Sequence, residues 1–317
     1  MSEKIRFAVR DWDYVTPLLL GDIKSDTLQI DIERVNTLPD DFMSAGYDAC
    51  EVSFSRYAQA RARGEQNVVA VPNFLMRGFR HRCVIVNKNS SSKSFADLKG
   101  KNIGVTGWQD SGNIWTRAAL ANGGPKIEEA FWYAGRLTEA HPIEDRLGKF
   151  AEKDRIMAMP KEQPLMDALS DGFLDAVCTP FMPQGFFDSE SAYRHLISDF
   201  RAAESAYYKL VGYVPGIHVL AFNARLITQK PWIAQELSHL LDKAQNVWLE
   251  KRRKYAETTP WIIDDLGYSA CVLAPEWNKS GLENNRKMIT DFLAQMFAQG
   301  IIDNAVKPED VFPVVAD

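Results

Sequence analysis

The chain contains no apolar run near the roughly 18 residues that a membrane-spanning helix needs. Its first strand-like stretch, with Ile5, Phe7 and Val9 alternating, stands where an export signal would carry a charged-then-apolar leader. Only four cysteines occur, Cys50, Cys83, Cys178 and Cys271, and no two form a C-x-x-C pair. That argues against a disulfide framework and a thiolate metal knuckle, and for reduced thiols in the cytoplasm. A phosphate loop, a G-x-G-x-x-G turn, an H-E-x-x-H helix and a G-x-S-x-G elbow are all missing. The five histidines, His81, His141, His195, His218 and His239, have no metal-ligand spacing among themselves. A metal assembled from distant residues such as Glu51, His81 and His218 stays open. Positive charge is not in excess: the net charge is −5, which argues against a general binder of nucleic acid or anionic membrane.

What is present is an ordinary globular composition, 46% hydrophobic and 25% charged, over 317 residues. That length suits two lobes better than one core. Strand-like and helix-like stretches alternate throughout, which predicts the α/β class. Leu28, Ile30 and Ile32 alternate through a second strand, and residues 47–52 form a short strand feeding a helix capped near Ser53. Residues 67–71 read as a strand stopped by Pro72. Pro231 opens a long helix with Ile233, Leu237, Leu240, Leu241 and Ala244 on one face. A polar break at residues 89–94 and a strand restart after Gly216 suggest a discontinuous organisation. Residues 1–86 and 218–317 would form one lobe and 87–217 an inserted one, with a ligand site in the cleft between them.

One stretch concentrates charge. Met76-Arg77-Gly78-Phe79-Arg80-His81-Arg82 precedes the apolar segment at residues 83–86. Arginine offers a planar donor fork that matches a carboxylate, and histidine can hand over a proton near neutral pH. The stretch therefore suits an anion clamp with a proton donor. Its alternative is a solvated basic edge. Glu51 sits at a strand end, where open α/β sheets place ligands. Trp115 and Arg117 lie on a helix whose start can attract an anion. His218 follows the Pro215-Gly216 turn, which would aim it from the second crossing segment; its alternative is a hydrogen-bonded buried histidine.

Tyr47-Asp48-Ala49-Cys50-Glu51-Val52-Ser53, Arg77-x-Phe79-Arg80-His81, Trp115-x-Arg117-x-x-Leu120, Pro215-Gly216-Ile217-His218 and Gly281-Leu282-Glu283-x-Asn285-Arg286 together resemble the 4,5-dihydroxyphthalate decarboxylases. The likeness runs through nearly the whole chain, with departures at Ala118, Val219 and Asn284. It implies a two-lobe fold like the type II periplasmic binding proteins, used as a cytoplasmic enzyme. It also implies non-oxidative loss of CO2 from a small hydroxylated aromatic carboxylate. Under that resemblance His81 or His218 is the acid, and Glu51 orients a histidine or polarises a ring hydroxyl. Arg77, Arg80 and Arg117 anchor carboxylates, while Ser53, Phe79 and Trp115 line the substrate. No organic cofactor is expected, because a hydroxylated ring is its own electron sink. A homo-oligomer is compatible with the resemblance. The alternative is a solute-binding protein that captures an aromatic or other organic anion without turnover.

Overall fold

The computed structural model describes residues 2–313. Eleven strands occur among them: β1 (Glu3–Arg10), β2 (Leu28–Val35), β3 (Ala49–Ser53), β4 (Val68–Arg77), β5 (Val84–Asn87), β6 (Asn102–Val105), β7 (Phe131–Ala134), β8 (Ile156–Ala158), β9 (Ala176–Cys178), β10 (Tyr193–His195) and β11 (Gly216–Asn223). They build two mixed sheets, ordered β2-β1-β3-β11-β4 and β10-β5-β9-β6-β7-β8. Two compact units follow. Among the described residues, the first comprises 2–77, 216–290 and 306–313, and the second 78–215 and 291–305.

The unit boundaries differ from the sequence expectation in two ways. The first falls after Arg77 rather than near residue 87, because β5 pairs with β9 and β10 and belongs to the second sheet. The helix Leu282–Ala298 then carries the chain from the first unit into the second, so residues 291–305 leave the lobe assigned to them. Of the charged stretch, Met76 and Arg77 end β4, while His81–Cys83 form a 3-10 turn ahead of β5.

In the first unit, β1 runs parallel to β2 and β3, while β11 is antiparallel to β3 and β4. Phe7, Val9, Leu220 and Phe222 pack on one face of the sheet against Ile233, Leu237, Leu240 and Leu241 of the helix Trp232–Lys254. The apolar stripe of that helix thus has the partner that its spacing requires. Pro72 does not stop β4. The strand lies at a sheet edge, and its ladder with β11 slips between Val71 and Met76, so a residue without an N–H costs no pairing there. In the second unit, Ile85, Leu165, Leu169, Leu174 and Val177 form the core. Gly104 is pinned in it, since a Cβ would stand 2.8 Å from Leu174 and 2.9 Å from Leu165.

Candidate active site

The first unit gathers its chemistry where β1, β3 and β11 meet. On the ladder between β3 and β11, His218 stands opposite Ser53 and Leu220 opposite Glu51. Glu51 and His218 are therefore diagonal neighbours on one face, within reach of long side chains. The pairing of β11 with β4 shifts register on both sides of His218. Such a bulge re-aims the side chain that it carries.

His218 Nδ1 lies 2.5 Å from Glu51 Oε1. Glu51 is fully buried, while the His218 side chain keeps 13% exposure. The other carboxylate oxygen, Oε2, accepts from the Arg10 backbone N–H at 2.9 Å and the Trp12 indole N–H at 2.8 Å. Three N–H groups converging on one carboxylate suit its ionised, acceptor-only form. An acceptor at Nδ1 fixes the imidazole tautomer: Nδ1 carries the proton given to Glu51, and Nε2 is left for exchange with a ligand.

Nearby, Arg77 ends β4 opposite Gly216. It donates to Asn285 Oδ1 at 2.6 Å and lies over the Phe74 ring at 4.9 Å. Burial brings its guanidinium down to about 10, opposed by the charge of Asp242. Tyr14 gives its hydroxyl to the Leu75 carbonyl at 2.6 Å, and burial together with the Glu51 charge pushes the phenol well up. Gly216 has no space for a side chain, since a Cβ would come within 2.4 Å of Phe74. Ser53 is the N-cap residue of the helix Phe54–Ala62, though its side chain makes no capping bond.

The second unit holds the remaining candidates in several different settings. Phe79 is partly exposed and meets Tyr208 edge-on. Arg80 is buried at 3% exposure, with its Nε 3.4 Å from Thr116 Oγ1. That is the one hydrogen bond of its side chain among the described residues, leaving donors of a buried guanidinium unspent. Gly112, in the first turn of the helix Ser111–Ala121, makes room for it: a Cβ there would lie 2.7 Å from an Arg80 terminal nitrogen.

His81 is buried between Phe95, stacked at 5.2 Å, and Tyr207, edge-on at 5.2 Å. Its Nδ1 has no hydrogen-bond partner among the described residues. Burial lowers its imidazole from the usual 6.5 to about 4. Arg117 is engaged within its own unit. Its Nε donates to Gln299, its Nη2 to the Trp108 carbonyl, and its guanidinium stacks on the Trp108 ring at 3.9 Å. Burial depresses it to about 9. Trp115 is 1% exposed and packs on Tyr213 and Phe292.

Trp12, the Arg10 amide and Thr116 stand outside the residues that the sequence marks, and Asn285 enters only within the Gly281–Arg286 stretch of the resemblance. Trp12 and Arg10 act just beyond and at the end of β1, and nothing in their neighbours announces a carboxylate contributed by β3. Thr116 sits on the helix that carries Trp115 and Arg117, one position from each, so its helix was legible although its role was not. Among the described residues no three His, Cys, Asp or Glu side chains are arranged to hold a metal ion, and no helix is long and apolar enough to cross a membrane.

No family profile matches the chain. Two characterised proteins do. A 4,5-dihydroxyphthalate decarboxylase of Comamonas testosteroni is 29% identical over 98% of this chain and 96% of its own length. One of Pseudomonas putida is 30% identical over 66% of this chain and 83% of its own length. Among solved structures, the alkanesulfonate-binding protein SsuA of Xanthomonas axonopodis pv. citri, bound to MOPS, superposes with a TM-score of 0.57 at 12% identity, covering 98% of both chains. A Candida albicans protein described as having the generic periplasmic binding protein fold gives 0.54 at 14% identity, covering 99% of this chain and 94% of that one. The fold is thus that of the periplasmic binding proteins, and the chain belongs to the 4,5-dihydroxyphthalate decarboxylase family.

Proposed function

We propose that the protein is a non-oxidative decarboxylase of a hydroxylated aromatic dicarboxylate of the 4,5-dihydroxyphthalate type, and that His218, held by Glu51, delivers the proton. The observation that carries this reading is the 2.5 Å contact between His218 Nδ1 and a buried Glu51 whose second oxygen is already satisfied. Glu51 holds the ring through Nδ1, so the proton to be delivered is the one carried on Nε2. Imidazolium Nε2–H then protonates the ring carbon that bears the departing carboxylate, while a ring hydroxyl releases electron density into the ring. The carbon–carboxylate bond breaks, its electron pair restores aromaticity, and CO2 leaves. The dianion has taken one proton and become a monoanion, and His218 is recharged from solvent. A positioned acid of this kind contributes about 10²–10⁴-fold.

Arg80 is the group best suited to hold a substrate carboxylate, because it is buried and its donors are not consumed by neighbours. Arg117 and Trp115 are tied into the packing of their own unit, which favours structural roles for both. His81, buried and depressed to about 4, is poorly suited to give a proton near neutral pH. We place the protein in the cytoplasm. Cys50, Cys83, Cys178 and the exposed Cys271 are all free thiols, as a reducing compartment keeps them.

The test is incubation with 4,5-dihydroxyphthalate in D2O. Release of CO2 with one deuterium at the vacated ring carbon supports the reading. Saturable binding without CO2 would replace it by anion capture.

A further inference from the structure

Arg80 holds its charge in an unfavourable place. Its guanidinium is buried against the first turn of the helix Ser111–Ala121: from a Cβ built on Gly112, Nη2, Cζ and Nη1 would stand 2.7, 3.1 and 3.5 Å away. That end of a helix carries positive partial charge. Asp110, the N-cap residue, makes no capping bond with its side chain, and its carboxylate lies against Gly107 instead. The Asn113 and Ile114 amides share the Asp110 carbonyl, while the Gly112 N–H has no acceptor among the described residues. Thr116 spends its hydroxyl hydrogen on the Gly112 carbonyl at 2.8 Å, so its oxygen faces Arg80 Nε as an acceptor. Glu204 feels the Arg80 charge but accepts from the Arg82 N–H at 3.1 Å. A buried cation and an open helix start are like poles with unspent donors. Together they are costly until an oxyanion joins them.

Which oxyanion follows from the chemistry. A carboxylate that leaves as CO2 must pass its negative charge to the ring. Donors gripping it would stabilise the ground state over the transition state and slow the reaction. The neighbouring carboxylate keeps its charge throughout. The same donors on it bind both states alike, lowering KM without opposing bond cleavage. In 4,5-dihydroxyphthalate the two carboxylates are ortho, and each carbon that bears one is para to a hydroxyl. Either can therefore leave while the other is held.

We propose that the Arg80 cradle holds the acidic group that the product keeps, and that it accepts a sulfonate in that position. The protein then also decarboxylates 4,5-dihydroxy-2-sulfobenzoate. This extends the decarboxylase reading and rests on it. The ring carbon bearing the carboxylate takes one proton, and its bond to the carboxylate breaks with the electron pair returning to the ring. CO2 and 3,4-dihydroxybenzenesulfonate result. The sulfonate matches the carboxylate in charge and offers the cradle three acceptor oxygens.

The experiment measures CO2 release by the wild-type protein from 4,5-dihydroxyphthalate, 4,5-dihydroxy-2-sulfobenzoate and the neutral 2-carbamoyl analogue. The sulfonate is expected within about 10²-fold of the phthalate in kcat/KM. The carbamoyl compound is expected at least about 10²-fold below the sulfonate, because a neutral group gives up the charge-assisted bonds. Turnover of the phthalate without the sulfonate overturns the proposal, as does equal turnover of the sulfonate and carbamoyl compounds. Turnover of none of the three overturns the decarboxylase reading with it. Inhibition by 3,4-dihydroxybenzoate, the product that retains the held group, gives a second readout. Thr116→Val removes the acceptor that fixes Arg80 Nε. It is expected to raise that inhibition constant and the phthalate KM by the same factor, about tenfold. A rise in KM alone, or in neither constant, overturns the assignment of the held group.

Discussion

Glu51 and His218 stand on neighbouring antiparallel strands and meet at 2.5 Å, with the carboxylate fully buried and the imidazole at 13% exposure. The buried partner is held from three sides, by His218, the Arg10 amide and the Trp12 indole. The histidine is thereby fixed at one nitrogen and left available at the other.

Trp12→Phe removes one donor from the buried carboxylate and keeps most of the ring. A lost hydrogen bond to a charged group costs about 1.5–3 kcal/mol. The expected result is a similar loss of stability in urea titration. Looser control of Glu51 should also lower kcat by about tenfold with little change in KM, since the indole acts through its bond to the carboxylate. Unchanged kcat would remove Trp12 from the positioning of the pair.

Arg80→Lys keeps the charge and loses the planar fork. If Arg80 anchors a carboxylate, KM should rise by at least tenfold while kcat falls less. Gly112→Ala gives an independent check, because its methyl would displace the guanidinium that now lies 2.7 Å away. Both variants are expected to weaken binding in calorimetry. Wild-type affinity in both would release Arg80 from that role.

Acid should destabilise the protein through His81. The unfolded chain takes up this proton near 6.5, whereas burial delays uptake in the folded chain to about 4. The unfolded state therefore binds more protons between those values, and stability falls as pH falls through that window. The contribution is complete above pH 6.5, and about 3 kcal/mol is lost by pH 4. His81→Phe keeps an aromatic ring between Phe95 and Tyr207 and cannot titrate. Its urea midpoint should fall less than wild type between pH 7 and pH 4.5. Parallel decline of the two proteins would mean that the acid sensitivity comes from carboxylates instead.

The periodicity of the sequence was enough for the α/β class, the long helix at Trp232–Lys254 and the strand restart at Gly216, because each depends on local pattern. Pro72 misled, since only the sheet order reveals that β4 is an edge strand whose ladder slips there. The helix Leu282–Ala298 has one continuous apolar stripe, and no local signal marks residue 291 as the point where it changes unit. Arg117 and Arg80 looked alike as charges in the sequence. Their difference lies in distant partners, Gln299 and Trp108 for one and a single long contact to Thr116 for the other. The Glu51–His218 pair was named as two candidates, but its pairing depends on a strand register that brings together positions 167 residues apart.

The most direct measurement is single turnover beside equilibrium binding for His218→Asn and His81→Asn, with 4,5-dihydroxyphthalate as ligand. The account predicts that His218→Asn binds within a few-fold of wild type and releases CO2 at least 10²-fold more slowly, the mark of a group needed in the transition state. His81→Asn should keep most of its turnover once any loss of folded protein is corrected. A His218→Asn enzyme that turns over at the wild-type rate, or a His81→Asn enzyme that binds but is dead, would contradict it.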